Sequence, residues 1–201
     1  MSVTFEKSET RRNLMRAFAG ESQAYSRYHF AAGRAREQGL QVIERVFDLT
    51  AGQELAHAMA FSRQMEPCAG ETVGVDGSYP VDLAPEVLEQ LRAAHHNEYR
   101  EYEHDYTGFA KVAKEEGFPV VSHLFSDVAR IEQVHGDRFG VFADLLETGK
   151  LFVSEVETDW LCLHCGHVVR GSAAPAVCPV CRRPQGYFVR YTLSPYAPGR
   201  C

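Results

Sequence analysis

Four stretches of this chain place apolar residues at alternating steps of three and four, the period of a helix that buries one face, and each stripe is interrupted near its middle by acids or histidines. The first stripe is Leu14, Phe18, Glu21, Tyr25, Tyr28, Ala32, and the second is Ile43, Phe47, Thr50, Glu54, His57, Phe61. The third begins near Pro85 and passes Leu91, Glu98, Phe109 and Val112 to a stop at Gly117, with Glu101 three residues beyond Glu98. The fourth is Val121, Phe125, Val128, Glu132, His135, Phe139, Phe142, Leu146. Such spacing is the seam of a left-handed bundle and predicts four helices between about residues 8 and 147. Short links at Gly39 and at Gly117-Phe-Pro119 predict antiparallel neighbours, whereas the Gly- and Pro-rich residues 67–84 predict one long crossover.

Residues three apart share a helix face, so the pairs 54/57, 98/101 and 132/135 each aim two polar side chains into one volume, which Glu21 also faces. Five carboxylates in a core without cations would be prohibitive, because each costs several kcal/mol to desolvate and like charges repel. Two divalent metal ions balance them, with carboxylates bridging and one neutral imidazole for each ion. One Glu-x-x-His pair arises easily by chance, and a purely structural polar core is the competing reading. Against it, the register agrees on four helices and the order repeats in both halves, with Glu21 to Glu54 nearly the same separation as Glu98 to Glu132. A lone Glu, Glu-x-x-His, Glu, Glu-x-x-His is the pattern of ferritin-like di-iron and di-manganese bundles.

Around residues 149–157 the helical period disappears, and the remainder carries paired cysteines, the single Trp and short strand-like runs such as 186–191. About forty residues bury little core, so a metal is the natural substitute. Cys162 and Cys165, then Cys178 and Cys181, give four thiolates from two tight loops; the spacing alone leaves iron and zinc open. His164 and His167 are expected to be loop residues rather than ligands. Cys68 and Cys201 are expected to be surface thiols without an assigned role. Boundaries follow: a bundle over 1–148, a linker at 149–157, a metal domain at 158–195 and a flexible tail at 196–201.

A formal charge of −6, a pI near 5.8 and no Lys/Arg-rich block argue against nucleic acid or an anionic membrane surface as partners. The N-terminal residues lack the continuous apolar run of a secretory signal, so a cytoplasmic protein is expected.

With GESQAYSRY, QELAH, NEYREYEHDYTGFAKVAKEEG and IEQVHGDRF followed by the two cysteine pairs, residues 8–191 closely resemble the rubrerythrins. The resemblance implies an all-α four-helix ferritin-like bundle followed by a small, mainly β rubredoxin-like metal domain. It implies two iron ions bridged by Glu54 and Glu132, with Glu21 and Glu98 terminal and His135 a fixed ligand, and Glu101 and His57 alternating on one iron as it is oxidised and reduced. Tyr28 and Tyr106 match the tyrosines that orient the ligands, and with Glu101 and His57 they form the expected catalytic set. A further iron sits on Cys162, Cys165, Cys178 and Cys181, a site that recombinant protein can fill with zinc. The implied reaction is reduction of hydrogen peroxide to water in oxidative-stress defence. Its electrons come from an external donor, a rubredoxin or an NAD(P)H-linked reductase, and pass between subunits of a homodimer or larger homo-oligomer. The alternative is a ferritin-like iron-oxidising or iron-binding protein. Gly136 and Gly140 depart from good helix sequence beside a ligand, and permit close helix approach or loosen the site.

Overall fold

The computed structural model describes residues 3–195; the tail at 196–201, Cys201 included, lies outside them. Helix α1 (Glu9–Glu37) is capped by Ser8, whose hydroxyl accepts from the Arg11 N–H at 3.1 Å, and turns at Gly39 into α2 (Gln41–Gln64). After the crossover come α3 (Val87–Arg100), one stretch of π-helix (Glu101–Asp105) and α4 (Tyr106–Glu116), which together make the third rod. Helix α5 (Pro119–Glu147) starts with proline at its first position, where no intrahelical N–H is needed. Contacts are densest between α1 and α2 and between α5 and both α3 and α4, so two hairpins pack face to face as a ferritin-like four-helix bundle.

The π stretch corrects the reading of the third stripe. One extra residue in the turn rotates everything after it, so the buried face continues through Tyr106, Ala110 and Ala113, while Phe109 and Val112 are only partly buried. Two apolar clusters result. One, around Phe47, Phe139, Ile43 and Leu91, fills one end of the bundle, and the other, around Phe61, Phe125, Leu14 and Val121, fills the opposite end. The polar side chains of the four stripes form the layer between them.

The crossover runs along α1, tied by a series of ion pairs: Arg11 to Glu71 at 2.5 Å, Arg16 to Asp76 at 2.6 Å and Arg27 to Asp82 at 2.5 Å. At its start a short turn (Glu66–Cys68) folds the Cys68 thiol inward to 6% exposure, so this cysteine is buried rather than a surface thiol.

The C-terminal part is a three-stranded antiparallel sheet of order β2-β1-β3, with β1 at Val153–Cys162, β2 at Val168–Ala173 and β3 at Phe188–Arg190. Strand β1 begins inside the stretch expected to be linker, and its register against β2 slips between Val153 and Thr158. Trp160, fully buried, packs with Phe188, Cys162 and Cys178 in a small core of its own. This unit sits on the α1–α2 turn: Val189 joins the bundle's core, and a Cβ at Gly186 would lie 2.0 Å from the Gly39 carbonyl oxygen. Among the described residues no helix is long and apolar enough to cross a membrane.

Gly136 resolves the question of its role. A Cβ there would stand 2.6 Å from the Tyr99 ring, so its absence lets α5 approach α3 closely beside Glu98. Gly136→Ala should therefore lower Tm even though Ala favours a helix by about 1 kcal/mol. Gly33→Ala, with nothing within 4 Å of its new methyl, should raise it. Equal stabilisation of both variants in thermal unfolding would refute the close-approach role.

Candidate metal centres

Six of the seven side chains expected as ligands in the bundle come together. Glu21, Glu54, His57 and Glu132 form one group of four donors, and Glu54, Glu98, Glu132 and His135 form a second, each with donor atoms within 4.8 Å of one another. Only Glu54 and Glu132 belong to both groups, the position of carboxylates that bridge two ions. Glu101, carried by the π stretch, stands outside both groups. Of the two side chains expected to alternate, His57 is therefore inside, with Nδ1 3.0 Å from Glu132 and 3.1 Å from Glu54.

The tyrosines fix the terminal carboxylates in matching fashion. Tyr106 on α4 donates its hydroxyl to Glu21 Oε1, and Tyr28 on α1 donates to Glu98 Oε1. Burial drives both phenol pKa values well up, so each keeps its proton. In both carboxylates the other oxygen, Oε2, is buried and has no hydrogen-bond partner. The same is true of Glu54 Oε1, both oxygens of Glu132 and both ring nitrogens of His135. His135 Nδ1 lies 2.8 Å from Glu132 and 2.9 Å from Glu54, yet none of these atoms is aligned for a hydrogen bond. Lone pairs that converge without sharing protons suit a pair of cations, and mixed carboxylate and imidazole donors suit iron.

Electrostatics describe the same demand. Burial and the charge on Glu54 raise Glu21 to about 8. Burial disfavours the charged ring of His57, but Glu21 and Glu54 outweigh it and carry its pKa to about 10; for His135, Glu132 and Glu54 carry it to about 11. Against its own burial, Glu54 is held near 2 by the two imidazoles. Without metal, protons on the histidines stand in for part of the missing positive charge.

Two cations behind the ligands escaped the sequence reading. Arg27 lies over the Tyr28 ring at 5.3 Å and is held by Asp82, which also accepts from the Asn97 amide at 2.9 Å. Arg138 reaches from α5 to Thr50 and Gln53 on α2 at 2.8 and 2.9 Å. Neither has a spacing that distinguishes it from a solvated arginine on a helix. His95, expected to lie at the surface or behind the ligands, is partly buried with Nδ1 2.8 Å from the Gly136 carbonyl oxygen.

The four cysteines form the second centre. The Cys162–Cys181 and Cys165–Cys178 sulfurs are each 3.7 Å apart, close to the ~3.8 Å edge of a tetrahedron with ~2.3 Å metal–sulfur bonds. Each loop closes by a hydrogen bond to the carbonyl of its first cysteine, from Gly166 N to Cys162 O at 2.9 Å and from Arg182 N to Cys178 O at 3.0 Å. Burial raises Cys162 to about 12, whereas at Cys178 the N–H groups of Cys181 and Val180 overcome burial and lower the thiol to about 7. His164 is exposed and packs edge-on against Tyr187 rather than entering the sulfur cluster.

A family profile described as Rubrerythrin matches residues 12–142, and one for its rubredoxin-like domain matches residues 160–189. The chain is 39% identical to a rubrerythrin of Clostridium perfringens and 35% identical to one of Nitratidesulfovibrio vulgaris, in each case over 90% of this chain and 93% of the relative. A solved structure of nigerythrin in a mixed-valence state superposes with a TM-score of 0.61 at 29% identity, covering 95% of this chain and 88% of the other.

The raised pKa values set how the metal-free protein responds to pH. A group whose folded pKa is raised adds stability in full below its ordinary value and loses it as pH climbs through the folded one. For Glu21 that window is 4.5 to about 8, and for His57 and His135 it runs from 6.5 to about 10 and about 11. Glu54 acts in the opposite sense, but only below 4.5. The chelated protein should therefore lose Tm steadily from about pH 5.5 to about pH 9.5, and iron should abolish the slope because bound ligands no longer hold those protons. A Tm that rises with pH in the chelated protein would refute the assignment.

Proposed function

The chain belongs to the rubrerythrin family, and on that premise we propose that it reduces hydrogen peroxide to water at the carboxylate–imidazole centre. Its electrons come from an external donor, a rubredoxin or an NAD(P)H-linked reductase, through the four-cysteine centre. The observation that carries this reading is the pairing of two unlike sites in one chain: the sulfur cluster is closed by four thiols, while the bundle centre is flanked by an ionisable carboxyl outside both donor groups. A protein that only stored or oxidised iron would have no use for the first.

When bound, a reduced iron pair supplies two electrons and labile positions on which peroxide can be held. The protein does the rest. Tyr28 and Tyr106 keep Glu98 and Glu21 turned so that one oxygen of each faces inward. Glu54 and Glu132 hold the centre together from α2 and α5. Burial first, and then the charges on Glu98 and Glu21, push the Glu101 carboxyl well above the carboxylate range. Two protons are consumed per peroxide, and Glu101 is placed to hand one to a departing oxygen. His57, at 8% exposure, and Glu101, on its π stretch, would be the two side chains to alternate as ligands of one iron when the centre is reduced and oxidised.

Apolar side chains left exposed on the outer faces of α2 (Leu49, Leu55, Met59) and α5 (Val134, Val141) support a homodimer or larger homo-oligomer.

Stopped-flow mixing of the iron-loaded, reduced protein with peroxide tests the reaction. The thiolate-bound iron should regain its red colour through the bundle centre, and it should do so more slowly when the bundle iron has been removed. His57→Ala should slow this reoxidation about tenfold or more while leaving most of the iron bound. Proportional losses of rate and iron would mean that His57 is an ordinary ligand and not one that exchanges.

A further inference from the structure

We propose that the protein also reduces organic hydroperoxides, which it admits through a cavity beside the bundle centre. The cavity, about 440 Å³, lies between α1 and the third rod under residues 76–80 of the crossover. Ala17, Tyr79, Pro80 and Phe109 give it one apolar wall, charged side chains such as Arg100 and Asp105 line the other side, and Glu101 and Tyr106 make its floor. The floor ties it to the metal centre, because the Tyr106 hydroxyl donates to Glu21 and Glu101 is the carboxyl that stands free of both donor groups.

Size and lining decide the substrate class. Hydrogen peroxide needs the room of about two water molecules, roughly 60 Å³, whereas 440 Å³ falls in the range of small-molecule sites. Hydrogen peroxide also gains nothing from an apolar wall, which an alkyl or aryl group does. The roof is fixed in place: Tyr79 donates its hydroxyl to the Arg16 carbonyl at 3.0 Å, and the Arg16 guanidinium holds Asp76 through both its carbonyl, at 3.0 Å, and its carboxylate, at 2.6 Å. A hydroperoxide whose tail lies against Tyr79 and Phe109 points its O–O group past Glu101 toward the metal centre. In the reaction the O–O bond breaks, two electrons from the reductant that feeds the four-cysteine centre and two protons are taken up, and an alcohol and water leave.

This inference rests on the peroxidase reading, and the test separates the two. Reduced, iron-loaded protein is mixed with hydrogen peroxide, tert-butyl hydroperoxide and cumene hydroperoxide, and 2-phenyl-2-propanol is quantified as the product of the last. In parallel, saturation-transfer NMR follows binding of 2-phenyl-2-propanol to the chelated protein, which needs no metal. Gly20→Leu extends into the cavity from α1, where its Cβ meets only the Tyr79 ring, at 3.5 Å. Ser78→Trp blocks the same space from the crossover and spares the helix. Both variants should lower the rate with cumene hydroperoxide by about tenfold or more and abolish the NMR signal, while hydrogen peroxide reacts at the normal rate. Hydrogen peroxide turnover without organic turnover or alcohol binding would overturn the inference and leave the peroxidase reading intact. So would equal slowing of all three peroxides in both variants. Alcohol binding at the cavity in a protein inert to every peroxide would remove the peroxidase reading and, with it, this inference.

Discussion

Carboxylates that repel one another are packed at the middle of this bundle, and the rest of the structure is arranged around that repulsion. Glu21, Glu54, Glu98 and Glu132 are each no more than 2% exposed. Ionised and alone, they would cost more than a domain of this size has in net stability. Three features make the layer tenable. Apolar clusters above and below it supply the folding free energy. The tyrosines donate hydrogen bonds to Glu98 and Glu21, and Arg138 offsets part of the charge of Glu54, Glu98 and Glu132. The remaining charge is left for cations, so the metal is part of the fold's electrostatic balance as well as of its chemistry.

One extra residue turns two similar hairpins into an asymmetric site. From Glu21 to Tyr28 the chain takes seven residues, two ordinary helical turns; from Glu98 to Tyr106 it takes eight, and the π stretch absorbs the difference. Both tyrosines thereby reach the terminal carboxylate of the opposite hairpin. The surplus turn carries Glu101, and no matching acid follows Glu21, so only one half of the site has a second carboxylate held apart from the donors. An α-helix through the same residues would point either Glu101 or Tyr106 away from the centre. The wider turn is weaker as a helix and suits a segment whose side chain is proposed to change place.

Much of this was legible in the sequence because the cost of burying charge leaves so few solutions. Glu54 with His57 and Glu132 with His135 fall on seams where only apolar residues belong, and the cysteine pairs admit little besides a tetrahedral metal. What periodicity could not show was the break in its own period. Phe109 and Val112 continue the stripe in register with Leu91, yet the π turn delivers Ala110 and Ala113 to the core instead. The signal was present in the unequal spacing of glutamate and tyrosine between the two halves. Arg27 and Arg138 gave no signal at all, since a half-buried arginine and a solvated one look alike until the partner helix is in place. Strand β1 likewise starts in a stretch with no strand-like alternation, because its early residues are largely exposed and pair only loosely.

The two centres differ in charge as well as in ligands, and this shapes what each can do. Between residues 158 and 195 the chain has four arginines, Arg170, Arg182, Arg183 and Arg190, and a single acid, Asp159, while the chain as a whole is acidic. Four thiolates around an iron ion leave a net negative cluster that becomes more negative on reduction, and nearby cations reduce the cost of adding that electron. Arg190 over Trp160 and Arg183 over Tyr187 are fixed by their rings at 5.6 and 5.4 Å, so this positive field is built into the small domain's own packing. The bundle centre works in the opposite direction, since an excess of carboxylate favours the more highly charged metal and so favours giving electrons up. With no oxidant present, these two frames keep electrons on the sulfur site, and the carboxylate excess makes the bundle centre the stronger donor, so it is an oxidant emptying the bundle centre that draws electrons across from the sulfur site.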